Sequence, residues 1–244
     1  MSVFVMSDLH LSTENPSKAM DVFGNRWKDY QSKIDKNWRK IVTDKDTVVI
    51  PGDISWGSSL QDAIPDLRFL DSLPGKKIIS KGNHDFWWST ASKLNALFKD
   101  QNFDSLSILN NNALVAEDYI ITGTRGWFSD PSSQITAQPT DYQKIINREA
   151  IRLRLALSAA AKLREETNKE IIAFFHFPPL WNDFCDENTF DALVEFGVKR
   201  CYFGHIHGSY ASPACIEHKG VTFSIISADY LNFIPRIIFP PDFD

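Results

Sequence analysis

The chain has 244 residues, 43% of them hydrophobic and 23% charged, which is enough to bury a sizeable core and typical of soluble globular proteins. Its formal net charge of -5 excludes the basic footprint that tracks long nucleic acid or an anionic membrane surface. Three scattered cysteines, Cys185, Cys201 and Cys215, make no disulfide framework or structural zinc pair and fit a reducing cytosol. No leader-like segment precedes Asp8 in MSVFVMSDLH, and no apolar run approaches the roughly 18 residues of a membrane span, so one cytoplasmic domain over residues 1–244 is expected.

SVFVMS opens a series of β-rich runs that each end in a polar loop, and Asp8 follows it directly. Trp27, Tyr30, Ile34, Trp38 and Ile41 step by three or four, the spacing of one helix face. TVVIP leads into Gly52, and a second helical face at Leu60, Ile64, Leu67 and Leu70 carries Pro65 near its start or at a kink. KKIIS stops before Lys81. Asn110 to Asn112, between SLSIL and ALVAE, reads as a hairpin turn. DYIITG is the next strand, and the polar stretch Ser129 to Asp141 reads as a long mobile loop and candidate lid. Tyr142 to Asn168, rich in Ala, Leu, Arg, Lys and Glu, is the strongest helix in the sequence. EIIAFF, KRCYF and two closing strands in VTFSIISADYLNFIPRIIF complete the series. Most runs are continuously apolar, as strands covered on both faces should be.

Five of the six histidines stand at or just past the end of such a run: His10, His84, His176, His205 and His207. His218 lies outside every motif and reads as a surface residue. In DLH the extended backbone aims Asp8 and His10 the same way, and GHIH does the same for His205 and His207. PGDIS adds Asp53, KGNHD adds Asn83, and FFHFPP adds His176. Two carboxylates, one amide oxygen and four imidazoles exceed the needs of one tetrahedral zinc and suit two adjacent divalent ions sharing a carboxylate. The absence of thiolate favours Mn, Fe, Zn, Ni or Co, with Mn the leading candidate.

The ordered set D-x-H, GD, GNHD, H-x-P and GH-x-H, running from Asp8 to His207, resembles the calcineurin-like metallophosphoesterase superfamily. The resemblance implies an α/β fold, a four-layer α/β/β/α sandwich of two mixed sheets with metals on loops at strand ends. It implies that Asp8, His10 and His207 hold one metal, that Asn83, His176 and His205 hold the other, and that Asp53 bridges them. His84 matches the residue that contacts phosphate and acts as general acid, with Asp85 holding its ring nitrogen and Gly82 permitting a tight turn. The implied reaction is hydrolysis of a phosphomonoester or phosphodiester by a hydroxide held on the metals. With neutral imidazoles, two divalent ions against Asp8 and Asp53 leave about two positive charges, an anion trap inside an acidic protein.

Around these residues, Trp56, Trp87, Trp88, Trp127 and Trp181 lie on four loops near the ligands. They form either the core beneath the loops or a stacking wall for a base or another flat group. Trp87, Trp127 and Arg125, whose guanidinium fork suits phosphate, are the candidate substrate-binding residues. The expected partner is a small phosphorylated ester, nucleotide-like if the wall is real, rather than long nucleic acid or membrane. Two other readings have their own signatures. A catalytically silent scaffold of this fold would show a broken ligand set or lack His84, and chemistry on a non-phosphate ester would show in an activity panel.

Overall fold

The computed structural model describes residues 1–127 and 139–238. The Ser129 to Asp141 loop reading therefore lies outside the described residues, except for its last three, which open a helix.

Strands β1 (Val3–Val5), β2 (Thr47–Ile50), β3 (Lys76–Ile79) and β4 (Leu106–Ile108) run parallel, and β13 (Arg236–Ile237) joins β1 antiparallel, giving a five-stranded sheet in the order β13-β1-β2-β3-β4. The second sheet contains β5 (Ala113–Ala116), β6 (Tyr119–Thr124), β7 (Glu170–Phe175), β10 (Arg200–Phe203), β11 (Cys215–His218) and β12 (Val221–Ile225). Its inner strands β12-β10-β7-β6 are parallel, and its edges β11 and β5 are antiparallel. A short ribbon, β8 (Leu180–Trp181) with β9 (Phe184–Cys185), follows β7.

Three apolar layers separate four structural ones. Leu67, Phe98 and Trp38 belong to the layer between the first sheet and helices α1 (Tyr30–Ile41), α2 (Ile64–Ser72) and α3 (Ala91–Gln101). Leu157, Phe190 and Phe223 belong to the layer between the second sheet and helices α4 (Pro139–Thr167) and α5 (Glu187–Glu195). Val5, Val49, Ile121 and Phe174 lie between the sheets. The architecture is thus the α/β/β/α sandwich expected of the motif set. Strands covered on both faces need apolar side chains at every position, which is why β2 and the last five residues of β7 are wholly buried.

The helices follow their local chemistry. Tyr30, Ile34 and Trp38 form the buried stripe of α1, each contributing about 1.5–3 kcal/mol by burial, and Trp38 Nε1 donates to Pro74 O at 2.9 Å. Trp27, read as part of that stripe, precedes the helix, because Asp29 takes a left-handed φ of 55° and breaks the helical path. Pro65 sits in the first turn of α2, where its missing N–H costs no helical bond. Thr90 caps α3, and Asp186 caps α5.

One local reading fails. The segment Asn110 to Asn112 does not close a hairpin, because β4 belongs to the first sheet and β5 to the second. The segment is the crossing between sheets, and β5 pairs instead with β6. Among the described residues no helix is long and apolar enough to cross a membrane.

At the carboxyl ends of the parallel strands the two sheets meet. Ser7 pairs with Ser227 in an isolated parallel bridge, with Ser7 N donating to Ile226 O and Ala228 N to Ser7 O, both at 2.8 Å. Ligand sites in open α/β sheets form at such strand ends.

Candidate metal centre

Each chemically competent loop begins within a few residues of a strand end: Asp8 after β1, Asp53 after β2, Asn83 and His84 after β3, His176 after β7, His205 and His207 after β10. The loops after β1 and β2 stay zipped beyond the sheet, with Asp8 N donating to Gly52 O at 3.1 Å and His10 N to Asp53 O at 2.9 Å. This zipper sets Asp8 and His10 beside Asp53.

Two groups of donors result. In the first, His207 Nε2 is 3.6 Å from Asp8 Oδ1 and 3.3 Å from His10 Nε2. In the second, Asn83 Oδ1 lies 2.6 Å from His176 Nε2 and 2.9 Å from His205 Nδ1. Asp53 Oδ2 stands between them, 3.6 Å from His10 Nε2 and 3.5 Å from His176 Nε2. Asp8, His10 and His207 form one cluster able to hold a metal ion, and Asp8, Asp53 and His176 form another. All seven sequence-selected donors are brought together.

The backbone is bent to achieve this. Asp8, His10, Asp53 and His205 have φ values of 61°, 47°, 51° and 68°, a conformation that costs non-glycine residues energy and clusters at functional sites. Gly82 is required for a different reason from the expected tight turn: a Cβ there would fall on the Asp53 carboxylate. At Gly52, with φ 104°, a Cβ would come within 2.6 Å of Gly82 Cα.

Burial and neighbouring charges set the electrostatics of the donors. Burial pushes the Asp8 carboxyl up to about 6, opposed by nearby His207. Burial, then Asp85 and Asp8, hold Asp53 well above the usual carboxylate range. Burial, then the neighbouring imidazoles, holds His10 and His176 well below the usual histidine value, and burial with His207 brings His205 down to about 4. His207 goes the other way: burial opposes its charging, but the hydrogen bond to Asp229 and the charges of Asp8 and Asp229 outweigh it. In its neutral form His207 gives its Nδ1–H to Asp229 Oδ1 at 2.8 Å, which leaves the Nε2 lone pair facing Asp8. Seven oxygen and nitrogen donors gathered in two groups about Asp53 fit two divalent ions.

Asp85 corrects its expected role. Its carboxylate accepts from the backbone N–H of Gly82, Asp53, Ile54 and Ser55 at 2.7 to 3.2 Å and from Trp87 Nε1 at 2.9 Å. None of these partners is the His84 ring. Asp85 ties the β2 and β3 loops together, and burial outweighs its hydrogen bonds to keep its carboxyl above the usual range. Trp87 is likewise corrected: at 2% exposure it belongs to the core, its indole committed to Asp85. Trp181 is also core.

His84 is half-buried, its backbone N–H donating to Asp53 Oδ1 at 2.8 Å, with Trp56 4.5 Å and His10 5.6 Å from its ring centre. Trp56 stacks on His10 at 4.9 Å. Trp127 packs against Phe177 at 5.3 Å with the Arg125 guanidinium 5.1 Å from its ring. Among the described residues no carboxylate is in ion-pair range of Arg125. His218 stands apart in β11, edge-on to Phe190 at 4.9 Å.

Two residues of the site escaped the sequence reading. Trp27 is buried edge-on against His10 at 6.0 Å and His207 at 5.5 Å. Asp229, fully buried, accepts from His207, from Gly208 N at 3.1 Å and from Tyr210 OH at 3.0 Å. A signal for Asp229 existed, since it follows the apolar run FSII much as Asp53 follows TVVI; Trp27 had none.

A solved structure of TT1561 from Thermus thermophilus is 10% identical over 97% of both chains, with a TM-score of 0.56. Another, a protein of unknown function, AQ665 from Aquifex aeolicus, is 18% identical over 97% of this chain and 95% of its own, with a TM-score of 0.45. A search of curated proteins finds no match. The family model for calcineurin-like phosphoesterase matches residues 1–209, a span that takes in all seven donors. The chain belongs to the calcineurin-like phosphoesterase family.

Proposed function

We propose that the protein hydrolyses a phosphomonoester or phosphodiester of a small substrate at a centre of two divalent transition-metal ions. The observation that carries this reading is the position of Asp53, whose Oδ2 lies 3.6 Å from His10 Nε2 and 3.5 Å from His176 Nε2. Asp8, His10 and His207 would hold one ion, Asn83, His176 and His205 the other, and Asp53 both. When bound, such ions supply Lewis acidity toward phosphoryl oxygens and bring the pKa of water from 15.7 toward about 7.

The protein's part is orientation and proton transfer. Asp229 fixes the tautomer of His207, and Asp85 fixes the two loops that present Asp53 and Asn83. His84, whose backbone N–H donates to Asp53 and whose ring lies 5.6 Å from that of His10, would give a proton to the departing alkoxide oxygen. Its pKa is lowered by burial and then by His207, and a phosphate dianion beside the ring would raise it toward the working range.

The test is metal-stripped protein restored in turn with Mn, Fe, Zn, Ni, Co and Mg, assayed on phosphomonoesters and phosphodiesters. Activity restored by one or more of these ions is expected, with Mn first; absence of turnover with every ion and ester would remove the reading. His84→Ala should keep full metal content and lose about 10²–10⁴-fold in kcat on poor leaving groups. If instead it turns over such esters at the parental rate, His84 is not the acid.

A further inference from the structure

A cavity of about 550 Å³ is lined in part by Lys81, Arg125, Arg148, Arg152 and Glu149. It adjoins the centre through the backbone: Lys81 stands two residues before Asn83, and the Arg125 carbonyl accepts from His176 N at 3.1 Å and Phe177 N at 2.9 Å. Four cations thus line the cavity with a single carboxylate.

That carboxylate is shared among the arginines, and it is also the strongest opposing charge that Arg125 feels. Glu149 is 6% exposed, its Oε1 2.6 Å from Arg152 Nη1 and 3.9 Å from Arg148 Nε, and its buried Oε2 has no hydrogen-bond partner among the described residues. Among those residues, neither Lys81 nor Arg125 has a carboxylate in ion-pair range, although both are half-buried. Collecting like charges in a partly desolvated cleft is unfavourable unless an anion completes it. Another cavity, about 620 Å³ and lined in part by Trp56 and Gln61, has four carboxylates, Glu14, Asp62, Asp66 and Asp100, against Lys18 and Arg68, so it offers an anion no such welcome.

Resting on the hydrolase reading above, we infer that this basic cavity is a subsite for a second phosphate of the substrate, so that the ester cleaved is a small molecule carrying two phosphate groups. One sits on the metals and the other between Arg125, Arg148 and Lys81. Arg148, at 54% exposure, and Arg152 lie one helical turn apart on α4, and Arg125 supplies a planar fork from the opposite loop.

The experiment compares p-nitrophenyl phosphate with adenosine 3′,5′-bisphosphate on Mn-loaded protein, and titrates metal-stripped protein with inorganic pyrophosphate by calorimetry. The bisphosphate should be preferred at least about tenfold in kcat/KM, mainly through KM, since one charge-assisted hydrogen bond accounts for about that factor. Arg148→Gln and Arg125→Gln should each reduce the preference about tenfold and weaken pyrophosphate binding to the metal-free protein. Arg154→Gln, on the same helix but paired with Glu195 at 2.9 Å, should keep the preference. Turnover of the one-phosphate ester without any preference for two, or a preference that both arginine variants retain, overturns the subsite while leaving the hydrolase reading intact. If no ester is turned over, the hydrolase reading fails, and calorimetry alone decides the cavity: no heat with pyrophosphate overturns it too.

Discussion

The two sheets contribute unequally to the centre. The first supplies both carboxylates, the amide and one imidazole, Asp8, Asp53, Asn83 and His10, whereas the second supplies only imidazoles, His176, His205 and His207. Charge is therefore concentrated in one half and neutral donors in the other. Each half has its own buried carboxylate support. Asp85 acts on the first through four backbone N–H groups and an indole; Asp229 acts on the second chiefly through one ring, that of His207. The contrast teaches that position in the first half is a property of the main chain and in the second a property of a side chain.

Breaking the first support should have the largest effect. Asp85→Asn puts an amide N–H₂ against two of the four backbone donors, and losing such a buried acceptor costs about 3–5 kcal/mol. At about 2–4 °C per kcal/mol for a chain of this size, Tm should fall by roughly 10 °C, with metal content falling alongside. A variant melting within about 2 °C of the parent would contradict the main-chain account.

Lys77 sharpens the comparison, because it is a fully buried charge of the first sheet that takes no part in the centre. Its Nζ donates to Asp71 O at 3.2 Å, Ser105 Oγ at 2.9 Å and Leu73 O, and burial pushes its pKa down from 10.5 to about 8, opposed by Asp71. Between those values the unfolded chain binds more protons than the folded one, so this group makes stability rise with pH from about 8 to 10.5. Lys77→Met should flatten that slope in denaturant titrations at pH 8, 9 and 10; parallel slopes in parent and variant would reject it.

Breaking the second support should be mildest for the fold. Asp229→Asn is expected to weaken metal affinity by about 10–100-fold while Tm of the metal-free protein changes by no more than about 4 °C. Competition with a chelator reads the affinity directly. Unchanged affinity would assign the His207 orientation to Trp27 packing instead.

Much of this was legible in the chain. The seven donors stand out because a buried parallel strand is an uninterrupted apolar run, and the first polar side chains after it must lie at the sheet's carboxyl edge. Asp85 and Trp87 were misread because adjacency in sequence carries no direction: neighbours in a turn face opposite ways, and Asp85 turned toward the β2 loop, 32 residues away at Asp53. Asn110 to Asn112 has the composition of a hairpin, but turn chemistry is local and the choice of sheet is not. The basic cavity was invisible because Lys81, Arg125 and Arg148 each look like an ordinary surface cation, and only the fold brings them around one cavity.

The bridge between Ser7 and Ser227 has a consequence for biosynthesis. Asp8, His10, Asp53 and Asn83 leave the ribosome long before Ser227 and Asp229, and β1 must wait for β13 before its outer edge is covered. A nascent chain therefore carries the acidic donors with no imidazole partners from the second sheet, a weak and unselective site. The full donor set, with His207 turned by Asp229, is complete only when the last strands dock.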